Sequence, residues 1–219
     1  MALTDYRIRD YCVIRHNRVV VNGSLLFEMD RSVDYSSFIA SLYKKMDLGY
    51  AKFYKMDALS KLGFMAAELL LRDMDDLSEI NNEDIAVIIA NSQSSLETDG
   101  RFQETIADRS NYFPNPALFV YTLPNIMIGE ICIKNKFKGE SAFFVFEQLD
   151  SDFLCDYVGN LFETTGTQVA ITGWVDLDSD HNYEAILCLV EKGNTSSRET
   201  GSLEFKPEVL TNLYLETKV

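Results

Sequence analysis

The sequence has few cysteines and no CxxC pair among them. Cys12, Cys132, Cys155 and Cys188 each sit in apolar sequence, a pattern that fits reduced, buried thiols better than a disulfide framework or a zinc site. Long apolar runs are also missing. ELLL, IAVIIA, AFFVF and AILCLV fall far short of the ~20 residues a membrane-spanning helix needs. The opening residues MALTDYRIRDY lack the apolar stretch of a secretion signal, so the cytoplasm is the expected compartment and no membrane association is expected. Basic residues are the minority, 20 against 34 acidic, for a formal charge of −14. That balance repels a phosphate backbone and argues against nucleic acid as a partner. No phosphate-cradling glycine loop and no Ser-His-Asp arrangement of interpretable spacing appears, and no cofactor is called for.

What is present is an ordinary globular composition. With 219 residues, 47% of them hydrophobic, the chain can bury a substantial core as a single domain spanning 1–219. Residues 1–50 read as an N-terminal strand or hairpin and a helix, 52–191 as the core, and 192–219 as a polar tail with a short strand at 213–215. In YCVIRHNRVVVNGSLLFEM, Asn22-Gly23 is the preferred pair for a tight hairpin turn. Tyr35, Phe38, Ile39 and Leu42 recur at helical spacing, and so do Leu59, Leu62, Met65, Ala66, Leu69 and Leu70 behind a capping Asp57.

After an acidic turn at 73–84, Ile85-Ala86-Val87-Ile88-Ile89-Ala90 is apolar without alternation, as in a strand covered on both faces. A helical turn is expected near 101–108. A helix capped by Thr122, with Pro124 in its first turn, follows, although its isoleucines also suit a strand. Residues 142–146 read as a buried strand, and Asp150 or Ser151 as the cap of a helix closed by Gly166. Strands at 168–175 and 184–191 flank the acidic loop DLDSDHN. Strands alternating with helices give an α/β fold, a layered mixed sheet of about five strands flanked by helices.

The order and spacing of several segments resemble the N-terminal half of β-ketoacyl-carrier-protein synthases, the thiolase-like condensing enzymes. KMDALSKLGFMAAELLL is similar to a family helix that opens on Met-Asp and runs into Ala-Ala-Glu. ANSQSSLETDGRF resembles the strand and loop after it, and NPALFVYTLPN followed by KGES resembles the series leading to the active-site strand. VAITGWVD and EAILCLVE resemble the closing strand pair, so the likeness covers roughly 52–191. It implies a thiolase-like half, truncated before the C-terminal half that would carry the catalytic histidines, and a role in fatty-acid or polyketide synthesis.

Decarboxylative condensation needs a thiolate to hold the acyl chain and imidazoles to stabilise the enolate. In the family's spacing from Lys138-Gly139, the nucleophile position falls on Gln148, with Glu147 and Leu149 beside it. A carboxamide cannot form an acyl thioester. Cys132 and Cys155 read as core filling, and His16 and His181, the only histidines, match no family motif. The resemblance implies a partner subunit of the kind that carries glutamine in place of the cysteine and shapes the chain's tunnel; the other reading of Gln148 is a polar residue capping a helix on a decayed site. Asn125, which matches a family asparagine near the dimer and pocket region, joins Phe144, Phe146 and Gln148 as candidate pocket or interface residues, with Phe143 beside them.

Asp176, Asp178, Asp180 and Glu184 are spaced like the start of a calcium loop. His181 stands where glycine is required and the last carboxylate comes too early, so an acidic turn is expected and no metal site. Lysine islands at 44–45, 52–55 and 134–138 stand as solvated faces or as contacts for an acidic partner. The expected partners are a second copy or a complete ketosynthase, with an acyl carrier protein. The other readings are an acyl-chain or carrier-protein binding module, and a small acyl transferase or hydrolase with an unplaced nucleophile.

Overall fold

Three strands joined by two tight turns open the chain: β1 (Tyr6–Arg15), β2 (Arg18–Val21) and β3 (Ser24–Glu28). His16 and Asn17 link the first pair with φ of 50° and 58°, and Asn22 and Gly23 link the second with 49° and 76°. Left-handed backbone at both central positions matches the twist of paired strands. The computed structural model describes residues 6–72, 74, 77, 79–110, 112–193 and 202–216.

The helix α1 (Tyr35–Met46) starts on Asp34, whose carboxylate accepts from Ser37 N, and α2 (Ala58–Leu70) starts on Asp57, which accepts from Ser60 N in the same way. Each cap satisfies an amide of the first turn that has no partner within the helix. The strand β4 (Ile85–Asn91) is buried at every residue. Beyond it run α3 (Leu96–Ala107), the short α4 (Pro116–Val120) and α5 (Ile126–Asn135). The strand β5 (Ser141–Val145), helix α6 (Ser151–Thr164), and strands β6 (Val169–Leu177) and β7 (Tyr183–Lys192) follow. The described chain closes with β8 (Leu203–Glu204) and α7 (Pro207–Glu216).

All these strands form one mixed sheet in the order β3-β2-β1-β7-β6-β4-β5, with β8 pairing the outer end of β1. The strands β5, β4 and β6 run parallel, while β6, β7 and β1 alternate in direction. On one face α1, α2 and α5 bury Phe38, Leu62 and Ile131 against Ile14, Val87, Ile89, Ile171 and Leu187. On the other, α6 and α7 bury Leu154, Val158 and Leu210 against Val13, Ile88, Ala90 and Trp174. The unbroken apolar run of β4 is thus explained by burial on both faces.

Gly173 in β6 has φ of 151°, and a Cβ there would overlap Ile186 O of the neighbouring strand. Only glycine fits that approach. Gly63 serves close packing of another kind, because Met127 of α5 lies where its side chain would be.

Several expectations are corrected. The sheet has eight described strands rather than about five, because the N-terminal hairpins and β8 join it. The stretch at 213–215 is helical, part of α7, where Leu210 and Leu213 are buried at helical spacing. The strand read as buried at 142–146 is β5 at the sheet edge, and Val145 is 52% exposed. Thr122 caps no helix: it donates to Phe119 O in a turn, and α5 begins four residues later. The turn near 101–108 belongs to the longer α3, and α6 ends at Thr164, before Gly166. The Ser/Thr-rich stretch 194–201 lies outside the described residues.

Candidate functional site

The carboxyl ends of β4, β5 and β6 lie together at one end of the sheet, where ligand contacts gather in parallel-sheet proteins. Pairing continues one step past β5, since Phe146 N donates to Asn91 O at 2.9 Å. The chain then bends at Glu147 and Gln148, both exposed. Asp150 turns it into α6, its carboxylate accepting from Phe153 N at 2.9 Å.

A helix N-terminus of this kind favours an anion. Here that role is filled: Asp150 caps it and Asp152 lies in its first turn. A thiolate at Gln148 would meet Glu147 and Asp150 as close chain neighbours rather than cations. All four thiols are pushed up rather than down. Burial pushes Cys132 up to about 11 and Cys155 up to about 12, the latter helped by Asp152, Asp156 and Glu208. Cys12 and Cys188 are fully buried and raised further. A nucleophilic thiol requires a shift in the opposite sense.

Phe144 and Phe146 stack at 6.0 Å on the α6 side of β5, where Phe153 meets them edge-on at 4.7 and 5.0 Å and Tyr157 meets Phe144 at 5.0 Å. Phe143 points to the other face, against the α5 side. Asn125 is exposed at the start of α5 and makes no capping bond. Phe144, Phe146 and Gln148 therefore share β5 and its exit, whereas no described hydrogen bond or ring contact ties Asn125 to them. Near Asn125 the chain exposes Phe119 and Leu123, and Phe113 is 81% exposed.

Two clefts open elsewhere on the molecule. The larger, about 650 Å³, lies between the β1–β2 turn, the segment before α1 and the β6–β7 loop, and holds His16 and His181. Burial, then Arg31 and Arg15, lower the proton affinity of His16. Asp176 accepts from Ser92 Oγ at 2.6 Å and from the amides of Ser92 and Gln93. Asp178 accepts from Asp180 N, Asn182 N and Asn182 Nδ2. Asp178 thus shapes the strand-to-strand turn, while Asp176 ties the end of β6 to the segment after β4. Among the described residues no cluster of His, Cys, Asp and Glu is arranged to hold a metal.

The smaller cleft, about 550 Å³, lies between α1, α2, α3 and α4, and shares Tyr35 and His181 with the first. At its base Asp57, besides capping α2, accepts from Thr98 Oγ1 at 2.8 Å. Burial raises Asp57 above the usual carboxylate range, against the pull of the Ser60 and Thr98 hydrogen bonds. Glu97 Oε1 lies 3.4 Å from both Arg101 Nη1 and His181 Nε2. Sequence reasoning found the cap but missed this cluster, because Thr98 and His181 reach it from distant elements without a shared motif.

No protein-family model matches the chain, and no characterised relative does at the sequence level. Solved structures match in fold. The ishigamide ketosynthase/chain length factor matches with a TM-score of 0.62 at 15% identity, over 89% of this chain and 64% of that one. The ketosynthase ApeO in complex with its chain length factor ApeC, from Xenorhabdus doucetiae, matches at 0.59 and 14% identity, over 97% of this chain and 91% of that one. AntDE:AntF, a type II polyketide acyl-carrier protein in complex with its ketosynthase bound to the hexaketide, matches at 0.56 and 12%, over 86% of this chain and 62% of that one. The chain therefore spans less than two thirds of the length of the first and third of these.

Proposed function

We propose that the chain, whose fold matches solved ketosynthases and ketosynthase/chain length factor assemblies with TM-scores of 0.56 to 0.62, is a non-catalytic subunit that works beside a complete ketosynthase in fatty-acid or polyketide-type synthesis, in the manner of a chain length factor. The observation that carries this reading is Gln148, a side chain unable to hold an acyl thioester, at the exit of β5, the position to which the resemblance in spacing carries the cysteine of a condensing enzyme.

Three features support it. Glu147, Asp150 and Asp152 adjoin Gln148 in the chain, and burial raises all four thiols, the opposite of what an acyl-transfer nucleophile needs. The strand β5 lies at the sheet edge and offers unpaired backbone groups to a second chain. The segment before α5 exposes Phe113, Phe119 and Leu123, an apolar surface of the kind partners cover. In this reading Gln148, Phe144 and Phe146 border the partner's acyl tunnel, Asn125 belongs to the subunit contact, and an acyl carrier protein delivers the chain to the partner. The compartment would be the cytoplasm. No helix among the described residues is long and apolar enough to cross a membrane.

The test is co-expression of the tagged chain with a complete ketosynthase from the same genome, followed by sizing with light scattering. A stoichiometric complex is expected, weakened by Val145→Lys at the exposed edge. A chain that stays monomeric at high concentration, alone and with each complete ketosynthase, would overturn the reading.

A further inference from the structure

The cleft between α1, α2, α3 and α4 is lined by charges of both signs. The protein carries −14 overall, yet here Lys55, Lys61 and Arg101 stand against two carboxylates, Asp57 and Glu97. Its floor is apolar, built from Ile39, Phe53 and Met56, each at most 3% exposed. About 550 Å³ falls within the roughly 300–1,000 Å³ of small-molecule sites.

Lys61 is the unusual member. It is half-buried, its Nζ sits 5.9 Å from the centre of the Phe53 ring, and among the described residues no carboxylate forms an ion pair with it. The nearby carboxylates are committed elsewhere. One oxygen of Asp57 accepts from Ser60 N and the other from Thr98, while Glu97 faces Arg101, Thr98 and His181. A cation drawn partly out of water without an ion-pair contact is unfavourable. Burial, the largest cause, and Arg101 accordingly lower the proton affinity of Lys61, against the pull of Asp57 and Glu97. An anion entering the cleft would supply the direct ion pair that neither Asp57 nor Glu97 forms with Lys61. A bare hydrophilic ion would leave the floor formed by Phe53 and Met56 unused.

We propose that this cleft binds a small anion bearing a short alkyl chain, a carboxylate with an apolar tail, with Lys61 as its counter-charge and Leu118 against its tail. The headgroup displaces water from the Lys61 ammonium, and the tail lies along the floor toward Ile39. Binding here does not depend on the reading of Gln148, which lies at the exit of β5 and lines neither cleft.

The experiment titrates the full chain with sodium octanoate, and separately with inorganic phosphate, following amide resonances. Saturable octanoate binding is expected, with the largest shifts at Phe53, Lys61 and Leu118 and much weaker binding of phosphate. Lys61→Met should weaken octanoate binding about tenfold, the scale of a lost charge-assisted contact. Lys61→Arg should retain most of the affinity, and Leu118→Trp should block the tail while leaving the thermal midpoint unchanged. Absence of saturable binding, unchanged affinity in a folded Lys61→Met chain, or phosphate binding as tightly as octanoate would each overturn the proposal.

Discussion

Thr211 Oγ1 donates to Ser151 Oγ at 2.9 Å, tying α7 to the first residue of the helix that follows Gln148. Helix α7 is held at its far end, where Arg15 Nη1 donates to Tyr214 O at 3.1 Å and its guanidinium lies over the Tyr214 ring at 5.0 Å. Tyr214 in turn donates to Glu184 on β7. These contacts place Leu210 and Leu213 on the sheet face beside α6, where they help to bury Trp174.

The first prediction concerns that attachment. Leu210 is fully buried, and Leu210→Ala should lower stability by about 2–5 kcal/mol, the range for a truncated core leucine. Thr211→Val, which removes one hydrogen bond on the part-buried seam, should cost about 1 kcal/mol. Chemical denaturation of the two variants checks the order.

Restoring a sulfur should not restore catalysis. Gln148→Cys places a thiol beside Glu147 and Asp150, with α6 already capped by a carboxylate. Its proton affinity should therefore stay at or above that of a free thiol. Reaction with iodoacetamide across pH 6–9 is expected to follow an unactivated cysteine, and incubation with an acyl thioester should leave the variant's mass unchanged.

Asp57 gives a pH-dependent signature. Its folded-state proton affinity is raised by burial, so the native state holds that proton more tightly than the unfolded chain. The contribution is favourable below the unfolded value and is lost as pH rises through the raised one. Asn is as good a cap as Asp, and Asp57→Asn has no such proton to lose. The stability of Asp57→Asn relative to the parent should therefore improve as pH rises from strongly acid through the raised Asp57 value, then level off. Asp57→Ala should be destabilised throughout, by about 1 kcal/mol for the cap and about 1 kcal/mol for the lost Thr98 hydrogen bond, since the Thr98 hydroxyl keeps Glu97 Oε2 at 3.1 Å as a partner. Urea titrations from pH 3 to pH 7 measure both.

Gly173→Ala should prevent folding rather than weaken it. The added Cβ would overlap Ile186 O, a backbone atom in the middle of the β6–β7 ladder that has no room to move. Loss of soluble expression is the expected outcome. Gly100→Ala, where nothing lies within 4 Å, is the control and should express normally.

Sequence patterns that depend on near neighbours were legible. The caps at Asp57 and Asp150, the Asn22-Gly23 turn and the two-sided burial of β4 follow from residues a few positions apart. Edge position is different. The strand β5 reads as apolar as β4, and only the topology places it at the border of the sheet. Helix α7 was hidden for a related reason. Leu213-Tyr214-Leu215 looks like a short strand in isolation, and it is the burial of Leu210 and Leu213 on one stripe against α6 that selects the helix. At the site, the order of motifs pointed to Gln148 and the structure places it at the exit of β5. The Asp57–Thr98 pair, 41 residues apart, has no local signature at all.

Intact-mass measurement after exposure to octanoyl-N-acetylcysteamine is the most direct check on whether the β5 exit can hold an acyl chain. A complete ketosynthase in the same tube should gain one octanoyl mass, while this chain gains none, either alone or mixed with it. A hydroxylamine-sensitive octanoyl adduct on this chain, mapped to Cys132, Cys155 or any other cysteine, would contradict the non-catalytic assignment.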